Sequence, residues 1–208
     1  MVHNPTNYLT AGVPLNEASR VMVLVHGRGS SGSDMLELAS HLKADGMAFV
    51  APQATGGTWY PYSFMQPLER NEPDLSSALL VLTMLRARLQ ADFNVKTPQI
   101  YWLGFSQGAC LTLEFAARNP AVYGGIFGLS GGLIGPDITP SEYEGILSGT
   151  PLVLGCSDVD SHIPKERVLE TAAVYGQMGA NVQTKLYPNG GHTINEDELS
   201  LVNAILAG

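Results

Sequence analysis

Charged side chains and cysteines are both scarce in this chain. Only 14% of its 208 residues are charged, whereas 45% are hydrophobic, which is enough apolar material to fill one well-packed core. A chain of this length is short for two domains, and no shift in composition divides it. We therefore expect residues 1–208 to form a single globular domain.

Positive charge is scarcer than negative charge. The chain has 11 Lys and Arg residues against 19 Asp and Glu residues, a formal net charge of −8, and its basic residues form no cluster. Nucleic acids and anionic membrane surfaces both bind clustered positive charge. We therefore predict no nucleic-acid partner.

Long hydrophobic runs are also missing. No apolar run reaches the roughly 18 to 20 residues that span a bilayer, and the start MVHNPTNYLTAG lacks the charged and apolar regions of a secretory signal. We expect a cytoplasmic protein without stable membrane insertion.

The two cysteines lie in different kinds of sequence. Cys110 falls within a helical pattern and Cys156 ends an apolar run, so neither belongs to a disulfide framework or a CxxC metal site. We expect two buried free thiols and no cofactor.

Short apolar runs alternate with helical patterns along the chain. The runs typical of buried strands are RVMVLVHG, MAFVAPQA, QIYWLGFS, YGGIFGLSGG, PLVLGCSD and VQTKLYP. Helical spacing is clearest in Asp74–Phe93, with Asp74 as its predicted N-cap, and recurs in 33–44, 107–118 and 164–178. Asn195 and Glu198 predict a capping box for a last helix. The alternation predicts a doubly wound α/β fold, with a mostly parallel sheet and helices on both faces.

One long segment breaks this alternation. Residues 56–73 have no period and contain three prolines, but their aromatic side chains argue against disorder. Two interpretations stay open: a loop folded onto the sheet edge, or the lining of a substrate cleft. On the second interpretation, we assign Trp59, Tyr60 and Phe64 to substrate binding, together with Leu133 after a later LSGG turn.

A candidate nucleophile lies between a predicted strand and a predicted helix. Ser106 is the serine of a GxSxG motif, in which Gly104 and Gly108 allow a sharp turn that exposes the hydroxyl. The motif alone is common, but its placement favours a nucleophile elbow. Such a serine needs a general base and an orienting acid. His192, after a Gly-Gly turn, is the best base.

The acid has two candidates, Asp158 and Asp160, at the end of the PLVLGCSD run. Asp158 is closer to the strand and Asp160 is closer to the predicted helix start, so the residues alone leave this choice open. With His162 they also form an alternating pattern that is compatible with a metal site. No second cluster completes a coordination sphere, and we therefore predict no metal.

An acyl-transfer site also needs donors for an oxyanion. The Gln107 amide, directly after Ser106, is one candidate. The second should come from the loop HGRGSSG after the first long strand, where the Arg28 amide is best placed and Gly29 is next. The Arg28 side chain has two interpretations, because its charge would either attract an anionic substrate group or be solvated.

Together these residues resemble the α/β-hydrolase fold and, within it, the compact phospholipase/carboxylesterase family, which includes acyl-protein thioesterases. The segments that carry the resemblance are VLVHGRGSSG, TWYPYSF, LGFSQGACLTLEFA, LSGGLIG, GCSDVDSHIP and YPNGGHTI. The resemblance implies no large lid domain and an open cleft for small to medium acyl groups. The acid segment is two residues longer than the family's G-x-x-D-x-x-V-P pattern. Its contiguous DSHIP favours Asp160, with Asp158 as the alternative.

Our leading hypothesis is therefore a serine hydrolase that cleaves carboxylic esters through an acyl-enzyme on Ser106. The alternatives are a thioesterase or lysophospholipase with the same triad, and a non-catalytic ligand-binding relative of the hydrolases. The complete set of nucleophile, base and acid favours catalysis. The expected partner is a small-molecule ester, and a homodimer is left open.

Overall fold

The computed structural model describes residues 2–208. Its strands are β1 (Tyr8–Gly12), β2 (Arg20–Val25), β3 (Met47–Pro52), β4 (Ile100–Phe105), β5 (Gly125–Leu129), β6 (Pro151–Ser157) and β7 (Asn181–Tyr187). Its α-helices are α1 (Gly32–Ala39), α2 (Asp74–Phe93), α3 (Gln107–Arg118), α4 (Lys165–Gln177) and α5 (Glu196–Ala207). The strands form one seven-stranded sheet in the order β1-β3-β2-β4-β5-β6-β7. β1 runs antiparallel to β3, and every other neighbouring pair is parallel.

The central strands are buried on both faces, as the apolar runs predicted. In β2 the side chains of Val21, Val23 and Val25 enter the core that also contains apolar residues of α2, α3 and α4. The alternating residues Met22 and Leu24 enter a second core with residues of α1 and α5. Helices therefore cover both faces of the sheet, and the predicted α/β-hydrolase architecture is confirmed. Within residues 2–208 no large lid domain covers the sheet.

Three local features of the structure differ from what the sequence predicted. Edge strand β1 was not predicted, and α1 ends at Ala39 rather than at residue 44. The predicted N-cap role of Asp74 is wrong, because Pro73 occupies the N-cap position and Asp74 is the first helical residue. The Glu72 carboxylate instead accepts the Ser76 N–H at 3.1 Å. The capping box of Asn195 and Glu198 is confirmed.

The carboxyl ends of the parallel strands meet at one edge of the sheet, which is where ligands bind in such folds. Val25 of β2 pairs with Gly104 of β4, and Ser157 of β6 pairs with Tyr187 of β7. The loops after these strands carry every candidate catalytic side chain. Among the helices within residues 2–208, none is both long and apolar enough to span a bilayer.

Candidate active site

Ser106 occupies a sharp turn between β4 and α3. Its φ and ψ angles are 54° and −121°, a strained conformation for a non-glycine residue that costs about 1 to 3 kcal/mol. A Cβ at Gly104 would overlap the carbonyl of Gly108, and a Cβ at Gly108 would overlap the carbonyl of Val25. Both glycines are therefore required for the turn, which the Ser106 N–H stabilises by donating to Leu129 O at 3.0 Å.

His192 lies between a serine and an aspartate. Its Nε2 is 2.8 Å from Ser106 Oγ, and its Nδ1 is 2.7 Å from Asp160 Oδ2. Because an ionised carboxylate only accepts hydrogen bonds, Nδ1 carries the proton and Nε2 is left to accept the Ser106 hydroxyl proton. The geometry is that of a nucleophile, a general base and an orienting acid in line.

Asp160 is held in its ionised form by its surroundings. Its side chain is fully buried beneath His192, and Oδ1 accepts the N–H groups of His162 at 2.8 Å and Ile163 at 3.0 Å. Burial raises the pKa of this carboxyl, but the hydrogen bonds from the His192 ring and the two backbone amides outweigh burial and hold the pKa below its ordinary value. The carboxylate can thus stabilise an imidazolium.

Asp158 faces a different partner. Its Oδ1 accepts the N–H of Asn189 at 2.9 Å, and its own N–H donates to Tyr187 O at 3.0 Å. β6 ends at Ser157, and the next two residues form a turn that takes up the additional length of this segment. The structure therefore brings Asp160 to the imidazole and places Asp158 against the backbone of the loop that carries His192.

The two predicted oxyanion donors follow the serine or belong to the loop that passes beside it. A Cβ at Gly27 would lie 3.3 Å from Ser106 Cβ, so the loop after β2 passes directly against the nucleophile. Within residues 2–208, no oxygen accepts a hydrogen bond from the Arg28 or Gln107 N–H. The alternative donor Gly29 is already used, since its N–H donates to Gly57 O at 2.7 Å. Of the three candidates, Arg28 and Gln107 thus have the backbone N–H groups that are free to bind an oxyanion; we call these two amides the free pair.

The Arg28 side chain follows neither of the two sequence interpretations alone. It is exposed, yet its guanidinium donates to the carbonyl oxygens of Tyr60 at 2.8 Å, Pro61 at 3.0 Å and Tyr62 at 2.9 Å. These contacts attach the irregular segment after β3 to the loop after β2.

A cavity of about 300 Å³ opens above Ser106. Its lining residues are Arg28, Tyr60, Tyr62, Ser63, Phe64, Ser106, Gln107, Cys110, His162, Ile163 and His192. The predicted substrate contacts Tyr60 and Phe64 are among them. The cleft-lining interpretation of the irregular segment therefore holds for these residues, whereas Trp59 of the same segment lies in the core.

The assignment of Trp59 and Leu133 to the cleft wall is corrected. Trp59 is fully buried and its indole Nε1–H donates to His26 O at 2.8 Å, which turns the ring into the core. Leu133 is also fully buried, with its N–H bound to Thr171 Oγ1 at 2.9 Å. Neither residue lines the cavity.

Several lining residues were not predicted from the sequence to line the cleft. Cys110 lies one helical turn after Ser106 and therefore on the same side of α3, a spacing that could have identified it. His162 and Ile163 lie two and three residues after Asp160, and the His162 ring lies edge-on to His192 with centroids 4.8 Å apart. Their proximity to the acid was the available signal.

The state of the two cysteines follows from their burial. Cys110 and Cys156 are buried free thiols, as predicted, and burial raises the pKa of each to about 12. In the part of the chain that the structure describes, no group of three His, Cys, Asp or Glu residues is arranged to hold a metal.

Sequence and structure comparisons show which known proteins this chain resembles. A sequence model of the phospholipase/carboxylesterase family matches residues 12–207. Acyl-protein thioesterase 1 of Saccharomyces cerevisiae is 28% identical over 214 residues, covering 93% of this chain and 94% of the yeast protein. The crystal structure of a phospholipase/carboxylesterase from Dyadobacter fermentans has 42% identity and a TM-score of 0.96, covering 100% of this chain and 99% of that one. Esterase PE8 has 25% identity and a TM-score of 0.78, with 97% of both chains covered.

Proposed function

The chain belongs to the phospholipase/carboxylesterase family and is an ester hydrolase, and from that premise we propose that it cleaves carboxylic esters of small to medium acyl groups through an acyl-enzyme on Ser106. The observation that carries the proposal is the line of hydrogen bonds from Ser106 Oγ through His192 to Asp160, at 2.8 and 2.7 Å. A serine hydroxyl in this arrangement is activated by the base beside it.

In the first half of the reaction, Ser106 Oγ attacks the ester carbonyl carbon while His192 Nε2 takes the hydroxyl proton. The oxyanion that forms accepts hydrogen bonds from the Arg28 and Gln107 amides. The imidazolium, stabilised by Asp160, then donates its proton to the leaving alcohol as the carbon–oxygen bond breaks. The acyl group remains on Ser106.

In the second half, water takes the place of the alcohol. His192 removes a proton from the water as it attacks the acyl-enzyme, and the second tetrahedral intermediate collapses with return of that proton to Ser106 Oγ. The carboxylic acid leaves, and the free enzyme is restored without a cofactor.

The size of the cleft supports small to medium acyl groups. Its volume of about 300 Å³ is at the lower end of the range for ligand pockets, roughly 300 to 1,000 Å³. Tyr60, Phe64 and Ile163 form an apolar wall of the cleft beside the polar catalytic groups. A series of p-nitrophenyl esters of rising chain length will locate the preferred length.

A fluorophosphonate probe tests the nucleophile. We expect the wild-type protein to be labelled and Ser106→Ala to be unlabelled. Ser130→Ala is the matched control, because Ser130 also follows a strand with positive φ, at 52°, but is fully buried. Labelling of Ser106→Ala, or an unlabelled wild type, contradicts the proposal and favours the non-catalytic ligand-binding alternative.

A thioesterase is the second candidate, and the observation that favours it is the near full-length match to the yeast acyl-protein thioesterase. The same triad can expel a thiolate in place of an alkoxide. Oxoesters and thioesters that share one acyl group separate the two functions by the ratio of their kcat/KM values. A lysophospholipase would need room for a long acyl chain, so the chain-length series also tests that alternative.

A further inference from the structure

The Gln107 side chain has a contact that its proposed oxyanion role does not require. The residue is buried, with only 6% of its surface exposed. Its Oε1 accepts the N–H of Trp59 at 2.9 Å, and its Nε2 donates to the carbonyl of Tyr60 at 2.8 Å. Both polar atoms of this amide are therefore used to hold two consecutive residues of the segment 59–62, which we call the cleft segment.

The Arg28 side chain binds the same cleft segment. Its Nη2 donates to the Tyr60 carbonyl at 2.8 Å, the same oxygen that accepts from Gln107. The two residues whose amides are the free pair beside Ser106 thus share one carbonyl acceptor through their side chains. They come from different elements, the loop after β2 and the start of α3.

The cleft segment is itself fixed to the sheet. The Trp59 indole donates to His26 O at 2.8 Å, and the two rings pack with centroids 5.0 Å apart. Trp59 is fully buried, so the segment cannot move without disturbing the core. The Tyr60 carbonyl is consequently a stationary anchor for both side chains.

An oxyanion hole depends on the spacing of its donors. Each N–H must lie about 2.7 to 3.1 Å from the developing charge, and a displacement of about 1 Å costs on the order of 100-fold in rate. A bridge between the residues that supply the two amides would hold that spacing before substrate binds.

We propose that the side chains of Arg28 and Gln107 are positioning residues, which fix the separation of their own backbone amides through the shared Tyr60 carbonyl. The inference rests on the proposed function, and it adds a role to side chains that the reaction itself does not use. The cleft segment then supports the oxyanion hole as well as lining the cleft.

Alanine variants separate the side chains from the amides, because every replacement except proline keeps the backbone N–H. Arg28→Ala and Gln107→Ala should each lower kcat by about 10- to 100-fold with little change in KM, since the hole acts on the transition state. Rates are expressed per site titrated with the fluorophosphonate, which removes unfolded protein from the comparison. The affinity for a trifluoromethyl ketone, which forms a tetrahedral oxyanion on Ser106, should fall by the same factor as kcat/KM.

The same strands offer matched controls at their opposite ends. Arg20, at the start of β2, donates to the carbonyls of Leu206 and Asp45 at 2.6 and 3.3 Å. Gln99, just before β4, accepts from Lys96 N at 2.8 Å and donates to Ser19 O at 2.8 Å. Their alanine variants also lose a bridging side chain, and we expect an unchanged kcat per titrated site.

The double variant tests whether the two side chains act through one anchor. Its loss of kcat/KM should be smaller than the product of the two single losses, because either change alone already breaks the bridge between the two residues. Multiplicative losses contradict a common anchor. Arg28 is exposed, so Arg28→Ala keeps the test decisive if the buried Gln107→Ala does not fold.

The outcomes distinguish this inference from the proposed function. A wild type that is neither labelled nor active contradicts the proposed function. An active wild type whose Arg28→Ala and Gln107→Ala variants retain its kcat and its ketone affinity contradicts the inference alone. Equal losses of kcat in the Arg20 and Gln99 variants would also overturn it, because the effect would then be general to the sheet.

Discussion

At the scale of single residues, two neighbouring carboxylates have separate tasks. Asp160 binds the His192 ring and two backbone amides, whereas Asp158 binds the backbone of Asn189 in the loop that carries His192. An aspartate on the imidazole must be an anion, because it fixes the tautomer and stabilises the imidazolium. An aspartate on a backbone N–H only needs an acceptor oxygen.

This difference predicts opposite results for two isosteric changes. Asp160→Asn should lower kcat by about 1,000- to 10,000-fold, because the amide can donate to Nδ1 and force the wrong tautomer. Asp158→Asn should lower kcat less than about 10-fold, because its amide oxygen still accepts from Asn189. Steady-state kinetics on one activated ester measures both. A larger loss in Asp158→Asn would assign the acid to the strand end.

Cys110 is predicted to limit the depth of the cleft. It lines the cavity one helical turn from Ser106, and its thiol stays protonated because burial raises its pKa to about 12. Cys110→Leu should reduce kcat/KM for octanoyl esters at least about 10-fold more than for acetyl esters, because the larger side chain fills the cavity. Cys110→Ala is the paired variant that enlarges the cavity. If each variant changes kcat/KM equally for the two esters, the acyl group binds elsewhere.

At the scale of elements, prediction succeeded where a proline or glycine marks the start of a helix. The helices α2 and α3 have the predicted bounds, since Pro73 precedes α2 and the elbow glycines flank the start of α3. β1 was missed because its sequence YLTAG is short and lies at an edge, where no residue is fully buried. Asp74 was misassigned because a proline before a helix can itself occupy the N-cap.

The candidate site was predictable to the level of elements but not of side-chain direction. Ser106, His192 and Asp160 follow strand ends, and sheet geometry brings such residues together. Whether an aromatic residue in an irregular segment faces the cleft or the core depends on its tertiary partners. Trp59 turns inward to the carbonyl of His26, which no local pattern of the sequence reveals.

The start of α5 contains a buried carboxyl that predicts a pH dependence. Glu198 Oε2 accepts the Asn195 N–H at 2.8 Å, while Oε1 is buried without a partner within residues 2–208. Burial raises the pKa of Glu198 to about 7, the hydrogen bond from Asn195 opposes this shift, and the charge of Asp197 adds to it. Cys156 of β6, a protonated thiol, also lies near this carboxyl.

The sign of the effect follows from proton binding. An unfolded glutamate titrates near pH 4.3, so between about pH 4.3 and 7 the folded state binds more protons and stability falls as pH rises. Glu198→Gln should remove about 1 to 3 kcal/mol of this decline between pH 4.5 and 8. Urea unfolding of both proteins across that range measures it. Parallel stability curves would show that Glu198 does not titrate there.

At the scale of the whole molecule, contacts between residues far apart in sequence connect the cleft to the edge of the sheet. The cytoplasmic location stays a prediction and the homodimer stays open, since no surface or segment of residues 2–208 tests them. The chain before β1 does have a defined place. The His3 N–H donates to Ser77 Oγ of α2 at 2.9 Å, and its ring lies edge-on to Trp59 at 5.5 Å between centroids.

This placement makes His3 a link between the chain before β1 and the cleft segment. Its Nδ1 accepts the Thr55 N–H at 3.1 Å, which leaves the proton on Nε2 to donate to Trp59 O at 2.8 Å. His3→Ala should lower the free energy of unfolding by about 1 to 3 kcal/mol, because it leaves a buried carbonyl unpaired. Hydrogen exchange at the Trp59 and Tyr60 amides should accelerate by more than exchange in the distant helix α5.

The matched control is His41→Ala, which removes an exposed imidazole from the turn after α1. This variant should change the free energy of unfolding by less than about 0.5 kcal/mol. Equal destabilisation by both changes would show that His3 contributes only its bulk. Destabilisation by His3→Ala with unchanged exchange at Trp59 and Tyr60 would show that the chain before β1 stabilises the sheet edge without reaching the cleft.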